Sequence, residues 1–222
     1  MFERLSVVAP AACRAKWVAA AVAAAGLVLA GQAHADYLLA GGDPEAGQAN
    51  SNTCAACHGS DGNSANPEWP SLAGQHAIYT FRQLQAYQDG DRQNALMTGQ
   101  VQGLSEQDMR DLAAFYAEQE LEPLAAGDGD LSLGERIYRG GNAETGVTAC
   151  IACHGPRGLG NPLTNYPRVS GQHARYLRDT LREYRSGDRR SDGQMAQMMR
   201  DIAGRMSDDE IDAVSAFMQG LQ

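Results

Sequence analysis

The pattern Cys-x-x-Cys-His occurs twice in this sequence, and this repetition constrains the fold more than any other feature. The first copy lies in TCAACHGSDGNS at 53–64 and the second in ACIACHGPRGLGN at 149–161. With five cysteines and five histidines in 222 residues, composition alone does not account for even one occurrence. Two occurrences therefore indicate a duplicated functional unit.

The duplication extends well beyond the cysteines. The segment PSLAGQHAIYTFRQLQAYQDGDR from Pro70 aligns without a gap to PRVSGQHARYLRDTLREYRSGDR from Pro167. Farther on, LSEQDMRDLAAFYAEQ from Leu104 aligns to MSDDEIDAVSAFMQGL from Met206. Solenoid repeats span about 20–50 residues, and this repeat is longer. The sequence therefore predicts two similar small domains.

The first 35 residues have the features of a secretory signal peptide. Basic residues precede the apolar run WVAAAVAAAGLVLA at 17–30, and AHA ends at Ala35, which predicts cleavage before Asp36. The apolar run is too short for a comfortable membrane span, although an uncut form could tether the protein to the inner membrane. We therefore expect export to an oxidising compartment, with the uncut form associated with the membrane.

Four segments are predicted along the chain. They are a signal peptide at 1–35, an N-terminal domain at 36–119, a linker at 120–130 and a C-terminal domain at 131–222. The linker is assigned because ELEPLAAGDGD combines proline, glycine and acidic residues between the two copies.

The exported chain is acidic. After residues 1–35 are removed, 15 basic and 26 acidic residues remain, for a net charge of −11. Such a charge disfavours nucleic-acid binding and favours partners with docking faces rich in lysine and arginine.

Both copies are expected to be all-α. Asp43 and Pro44 suit an N-cap and first helical position, and capping boxes are predicted at Ser132 with Glu135, Ser105 with Asp108, and Ser207 with Glu210. Apolar stripes at helical spacing comprise Ile78, Phe81, Leu84 and Tyr87 in the first copy, and Tyr176, Leu177, Leu181 and Tyr184 in the second. Between these helical segments, no run in which valine or isoleucine alternates with polar residues is long enough to predict a strand.

Cys-x-x-Cys-His is typical of covalent c-type haem attachment. Two thiols form thioethers with the haem vinyl groups, and the adjacent histidine ligates the iron. The predicted thioether residues are Cys54, Cys57, Cys150 and Cys153, and the predicted iron ligands are His58 and His154. A bound haem also supplies the interior that a copy of about 90 residues otherwise lacks.

Three other uses of the cysteines remain open at this point. One is a thioredoxin-like redox pair, which requires a βαβ context that the pattern does not show. Another is a disulfide within each motif. The third is zinc, for which the candidate ligand sets are Cys54, Cys57, His58 and His76, and Cys150, Cys153, His154 and His173.

Methionines at matched positions are candidates for the sixth iron ligand. Met97 and Met199 each lie eight residues before the serine that begins the last helix of their copy. Met195 and Met198 are alternatives for the second haem, and the matched His76 and His173 compete less well because they leave the matched methionines unexplained. Methionine opposite histidine fills both faces of the iron, which favours electron transfer over catalysis.

Pro70 and Pro167 lie twelve and thirteen residues after the motif histidines. A carbonyl oxygen at this point could accept the Nδ1 proton of the histidine and fix its ring, which is how many metal-bound histidines are oriented. For His58 with Pro70 and His154 with Pro167 this role is a hypothesis, and the alternative that both are ordinary loop prolines is favoured by the residues alone.

Taken together, these motifs resemble the dihaem cytochrome c4 family along the whole exported chain. The resemblance implies two class I cytochrome c domains related by a pseudo-twofold axis, with the propionate edges of the haems close together. It implies histidine and methionine ligation at both irons, by His58 with Met97 and His154 with Met199. It also implies electron carriage in the bacterial periplasm, commonly to a terminal cytochrome oxidase and often in loose association with the membrane.

The leading hypothesis is therefore a dihaem carrier that is not an enzyme and takes one electron per haem. Its expected partners are redox proteins with basic docking faces, namely a cytochrome oxidase, a quinol–cytochrome c reductase or a dehydrogenase. An alternative is the dihaem subunit of a flavocytochrome-like dehydrogenase complex. A dihaem peroxidase is a weaker alternative, because it requires an open iron position that Met97 and Met199 would fill.

Overall fold

The structure is a computed structural model that describes residues 40–222. The predicted signal peptide at 1–35 lies outside the described residues. Ten α-helices follow one another in this range: α1 Pro44–Asn50, α2 Asn52–His58, α3 Ala77–Asp89, α4 Ala95–Val101, α5 Glu106–Glu118, α6 Leu131–Gly140, α7 Ile151–His154, α8 Ala174–Ser186, α9 Met198–Ala203 and α10 Asp208–Gln219. Short 3₁₀ turns lie at Pro162–Thr164 and Gly193–Met195. Between residues 40 and 222 the only strand-like pairings are two isolated bridges, so the all-α prediction is confirmed.

The N-terminal half, residues 40–119, is built on the contact between α1 and α5. The carboxylate of Asp43 caps α1, and Pro44 is its first residue, as the sequence predicts. The two helices approach closely at Gly47, where a Cβ atom would overlap the backbone oxygen of Asp111. Only glycine permits this approach.

Helix α3 closes the N-terminal half by packing on α5. Phe81 and Tyr87 of its predicted apolar stripe are buried, and Ile78 and Leu84 pack against the same core. The helix ends at Gly90, whose left-handed φ of 80° suits a glycine C-cap. The predicted capping box of Ser105 and Asp108 begins α5.

The C-terminal half, residues 131–222, repeats this arrangement. Helix α6 packs on α10, and α8 packs on α10 and α9. Gly134 of α6 takes the place of Gly47, because a Cβ atom there would overlap the backbone oxygen of Ala213. The predicted capping box of Ser207 and Glu210 begins α10. The core of this half gathers Ile137, Tyr138, Leu177, Leu181, Tyr184, Ile211, Val214 and other apolar residues.

One predicted cap is wrong. We expected Ser132 and Glu135 to begin the first helix of the second copy, but α6 begins at Leu131 and its N-cap is Asp130. The Asp130 carboxylate accepts a hydrogen bond of 2.9 Å from the backbone N–H of Leu133. The earlier start places Ser132 inside the first turn, where its hydroxyl cannot cap the helix.

The segment predicted as the linker, 120–130, contains no helix and is tied to both halves. The Asn63 side chain donates to the carbonyl of Glu120 and accepts from the N–H of Glu122. At its other end, Gly127 donates to the carbonyl of Ala216. The exact domain boundaries at 119 and 131 stay predictions.

No helix among the described residues is long and apolar enough to cross a membrane.

Candidate functional site

The first Cys-x-x-Cys-His motif forms most of α2. Cys54, Cys57 and His58 all lie on this helix, which ends at His58 because Gly59 follows with a φ of 83°. Both cysteines are half-buried, while the His58 side chain is buried, with 5% of its surface exposed. One turn of helix therefore presents two sulfur atoms and a buried imidazole.

The second motif repeats this geometry on a shorter helix. Cys150 is the N-cap of α7, and Cys153 and His154 lie within it. His154 is buried to a similar degree, with 8% of its surface exposed. Gly155 follows with a φ of 76°, so both motifs end in the same way.

Each motif histidine is held by a proline carbonyl. His58 Nδ1 lies 2.8 Å from the Pro70 carbonyl oxygen, and His154 Nδ1 lies 2.9 Å from that of Pro167. A carbonyl only accepts, so Nδ1 carries the proton and donates it. The lone pair of Nε2 is then free for a metal. Burial lowers the pKa of both histidines, which favours this neutral form.

The cysteines have the properties of buried thiols. None of the four forms a disulfide in the described chain. Burial raises the pKa of Cys54 and raises that of Cys150 to about 11. A thioredoxin-like pair needs a thiol whose pKa is lowered, so the raised pKa values count against that alternative.

The two matched methionines lie at the starts of corresponding helices. The Asn94 side chain caps α4 and accepts a hydrogen bond of 3.2 Å from the backbone N–H of Met97. Met199 lies at the start of α9, where the buried Asp192 carboxylate holds Arg200 by a contact of 2.7 Å. Met199 also packs against the core of the C-terminal half, as Cys150 does.

The alternative methionines lie nearby. Met198 places its sulfur 4.0 Å from that of Cys153, and Met195 ends the 3₁₀ turn before α9. The choice of Met97 and Met199 as the sixth ligands stays a prediction.

The competing histidines serve another purpose. His76 Nε2 lies 2.8 Å from the carbonyl oxygen of Leu159, in the other half of the chain. His173 Nε2 lies 2.7 Å from that of Ser64, again across the boundary. No group of three or more potential metal-binding side chains forms among residues 40–222, so the structure does not gather the predicted zinc ligand sets.

The residues beside these histidines form a reciprocal interface that we did not predict. Gln75 donates to the carbonyl of Arg168 and accepts from its N–H, each at 2.9 Å. Gln172, the equivalent of Gln75, exchanges the same two bonds with Ser71, at 2.8 and 2.9 Å. The repeated Gly-Gln-His was the only signal in the sequence for this interface, since nothing local identifies a partner about 100 residues away.

These features fit a covalent haem in each half. The thiols are free, the imidazole is neutral with Nε2 available, and a methionine lies on the matched helix. Since thioether formation and iron ligation need these groups, the donor set suits haem c. The haem would be held through the motif residues, and it would supply one-electron redox chemistry.

Comparison with known proteins likewise indicates two haem-binding cytochrome c domains. The family model described as Cytochrome c matches residues 44–119 and 134–222. Cytochrome c4 of Thiocapsa roseopersicina is 49% identical over 182 residues, which covers 81% of this chain and 93% of the relative. The crystal structure of reduced recombinant cytochrome c4 from Pseudomonas stutzeri matches with a TM-score of 0.78 and 40% identity, covering 82% of this chain and all of that one (100%). The thiosulfate dehydrogenase electron acceptor of Stutzerimonas stutzeri (strain A1501) is 35% identical over 214 residues, which cover 92% of this chain and 94% of the relative.

Two helical domains, each with an attachment motif and a proline-held histidine, define a c-type cytochrome with two haems. The chain belongs to the dihaem cytochrome c4 family. The predictions of tandem class I cytochrome c domains and of two covalently bound haem c groups are thereby confirmed.

Proposed function

We propose that the protein carries single electrons between redox partners, using two haems with histidine and methionine at the iron. Cys54 and Cys57 form the thioethers of the first haem, and Cys150 and Cys153 form those of the second. The axial pairs are His58 with Met97, and His154 with Met199. The observation that carries this proposal is the matched bond from histidine Nδ1 to a proline carbonyl, which leaves Nε2 for the iron in both halves.

A carrier is favoured over an enzyme because both faces of each iron would be occupied. A peroxidase needs an exchangeable position on one haem. The two halves instead offer equivalent donors at equivalent places, with Met97 at the start of α4 and Met199 at the start of α9.

We propose the periplasm as the site of action, with loose association at the membrane surface and a terminal cytochrome oxidase as electron acceptor. A quinol–cytochrome c reductase or a dehydrogenase would be the donor. Support comes from the predicted export signal and from the membership of the cytochrome c4 family.

The charge distribution favours partners that have a basic docking face. It also indicates which half of the chain they would contact. Residues 40–130 contain 14 acidic residues and three arginines, whereas residues 131–222 contain 11 acidic residues and 12 arginines. Of the three arginines, Arg92 is buried and Arg110 is bound to Glu106. A cationic partner would therefore be attracted mainly to the N-terminal half and its linker.

The arginines of the C-terminal half do not produce an equally strong basic surface. The α8 residues Arg175, Arg178, Arg182 and Arg185 all lie within 4 Å of carboxylates. Their acidic partners include Asp208 and Asp212 of α10 and Glu68 of the N-terminal half. This helix is therefore neutralised by its neighbours.

A dedicated electron-accepting subunit of a dehydrogenase is the second candidate. Its specific support is the likeness to the thiosulfate dehydrogenase electron acceptor of Stutzerimonas stutzeri, which extends over 92% of this chain. Co-purification of a dehydrogenase from the native organism would favour this role, and a free protein reduced by several donors would favour a general carrier.

The test of the ligand set is spectroscopic. Protein from the periplasm is examined by intact mass, pyridine haemochrome and the near-infrared charge-transfer region of the oxidised form. We expect two covalent haems and a methionine-to-iron band that accounts for both irons. One haem without this band would overturn the proposal for that domain, and an absence of covalent haem would return the cysteines to zinc or disulfide chemistry.

A further inference from the structure

One buried tyrosine of the N-terminal half has an unpaired hydroxyl. Tyr116, on α5, has only 1% of its surface exposed, and its hydroxyl forms no hydrogen bond within residues 40–222. A buried hydroxyl without a partner has lost its bonds to water and gained nothing in exchange, so folded proteins usually satisfy such a group. The unpaired hydroxyl therefore indicates that the site is completed when the cofactor is attached.

The group beside this hydroxyl is the sulfur atom of Cys54. Cys54 packs against the core cluster that contains Tyr116, and the other members of that cluster and its surroundings are apolar, namely Leu72, Leu104, Leu112 and Phe115. Burial raises the pKa of the Cys54 thiol, which the neighbouring Tyr116 hydroxyl lowers in part. Burial also raises the pKa of the Tyr116 hydroxyl, and Cys54 raises it further. The hydroxyl thus lies beside a sulfur atom in apolar surroundings.

The ring of Tyr116 is held from several sides. A Cβ atom at Gly62, in the loop after the first motif, would lie 2.8 Å from the ring carbon Cδ1. The Phe115 ring packs against it with a centroid distance of 4.9 Å. The Tyr116 carbonyl accepts a hydrogen bond of 2.9 Å from the N–H of Gly74. The ring therefore has little room to move its hydroxyl away from the Cys54 sulfur.

The matching position of the second half carries no hydroxyl. Ser105 and Ser207 cap α5 and α10 in the same way, and the residues eleven positions after them are Tyr116 and Met218. Met218 is also buried, with 5% of its surface exposed. The two halves therefore differ in polarity at this position of the last helix.

The second half has a buried tyrosine that comes from another helix. Tyr138 on α6 shares a core cluster with Cys150. Burial raises the pKa of its hydroxyl, and the neighbouring Cys150 raises it further. Its hydroxyl donates a hydrogen bond of 2.6 Å to the Gly155 carbonyl. Each half thus places a buried tyrosine near its first motif cysteine, but the Tyr138 hydroxyl is already satisfied and the Tyr116 hydroxyl is not.

Haem attachment changes the hydrogen bonds that the sulfur can form. When the Cys54 thiol adds across a haem vinyl group, a carbon–sulfur bond forms and the thiol hydrogen passes to the other vinyl carbon. The resulting thioether sulfur can accept a hydrogen bond but has no hydrogen to donate. In the holoprotein the Tyr116 hydroxyl is therefore the donor of any bond between the two groups.

We propose that Tyr116 donates a hydrogen bond to the thioether sulfur of Cys54 and thereby raises the reduction potential of the first haem. The proposal rests on the haem attachment at Cys54 proposed above. A donated hydrogen bond directs the positive end of the hydroxyl dipole at an atom bonded to the haem. This stabilises the reduced state, because the oxidised haem carries one more positive charge. The second haem lacks this contribution, since Tyr138 is bonded to a carbonyl instead.

The first test removes the hydroxyl and keeps the ring. In the holoprotein, we expect Tyr116→Phe to lower the midpoint potential of the first haem in a spectroelectrochemical titration and to leave that of the second haem unchanged. The equilibrium that shares one electron between the haems should move towards the second haem by roughly two- to tenfold, the range for one hydrogen bond. The variant that lacks Cys54 and Cys57 assigns the potentials, because the haem that it retains is the second.

Tyr138→Phe is the matched control in the other half. It also removes one buried hydroxyl, but this hydroxyl bonds to the Gly155 carbonyl. We expect the first haem to keep its potential in this variant, and the protein to lose stability because the carbonyl loses its donor. An unchanged potential of the first haem in Tyr116→Phe, with both haems attached, would overturn the proposal. An equal shift of that potential in Tyr138→Phe would overturn it as well.

A spectroscopic signature separates the hydrogen bond from an effect of packing. Resonance Raman spectra of the reduced protein contain the carbon–sulfur stretching bands of the thioether links. After exhaustive exchange into D₂O, we expect one of these bands to shift in the unmodified protein and not to shift in Tyr116→Phe. Identical isotope responses in the two proteins would refute the bond, even if the potential falls. Failure of haem attachment at Cys54 would appear separately, as a missing haem mass in the unmodified protein.

Discussion

Gln172 and Ser71 exchange two hydrogen bonds across the boundary between the two halves of the chain. The Gln172 amide donates to the Ser71 carbonyl at 2.8 Å, and the Ser71 N–H donates to Gln172 Oε1 at 2.9 Å. One side chain thus satisfies both backbone groups of a buried residue that lies 101 positions away. Gln75 and Arg168 repeat the pairing with the halves exchanged.

Gln172→Ala is expected to destabilise the folded protein by about 1–3 kcal/mol, since it leaves the backbone groups of Ser71 buried and unpaired. Gln75→Ala is the matched variant and should cost less, because Gln75 is only half-buried and water can replace its bonds. Chemical denaturation followed by far-UV circular dichroism measures both. Equal losses of stability would show that burial does not determine the strength of this interface.

Gly134→Ala should destabilise the C-terminal half, because the new methyl group would overlap the backbone of α10 at Ala213. Forced overpacking of this kind costs about 1–3 kcal/mol. Gly140→Ala on the same helix is the control, since its Cβ would meet no atom within 4 Å. Thermal unfolding should show a clear decrease in Tm for the first variant and little change for the second. A neutral Gly134→Ala would mean that α6 and α10 separate at little cost.

Met199→Ala is expected to remove the methionine-to-iron band of one haem and to lower that haem's potential, because a thioether ligand raises it. Met198→Ala is the adjacent control and should leave the band intact. Near-infrared spectroscopy of the oxidised variants gives the answer directly. The reverse result would assign the ligand to Met198, whose sulfur lies 4.0 Å from that of Cys153.

Replacing Cys54 and Cys57 by alanine should give a protein with one covalent haem, visible as the loss of one haem mass. We also expect the N-terminal half to unfold at lower denaturant concentration, because its buried clusters are small without the cofactor. The corresponding pair of substitutions at Cys150 and Cys153 is the control for the other half. A haem-free half that still unfolds cooperatively at the original concentration would show that the haem is not needed for its core.

Much of the fold is encoded locally and could therefore be predicted. Capping boxes at Ser105 and Ser207 depend on residues three positions apart, and the apolar stripe of α3 depends on the helical repeat. The bonds from His58 to Pro70 and from His154 to Pro167 were only a hypothesis from the sequence, because nothing local distinguishes these residues from ordinary loop prolines. The cap at Asp130 was missed because Asp130 and Ser132 are both residue types that favour the N-cap and lie two positions apart.

By itself, the sequence determined the duplication and the helical nature of each copy, and it predicted covalent haem attachment at the two Cys-x-x-Cys-His motifs. Only the tertiary structure decided what His76, His173, Gln75 and Gln172 bind. Their partners across the boundary lie about 80–110 residues away in the chain, and the packing of the two copies brings them together. Local patterns report the near neighbours of a residue, whereas the contacts of a domain boundary depend on the whole fold.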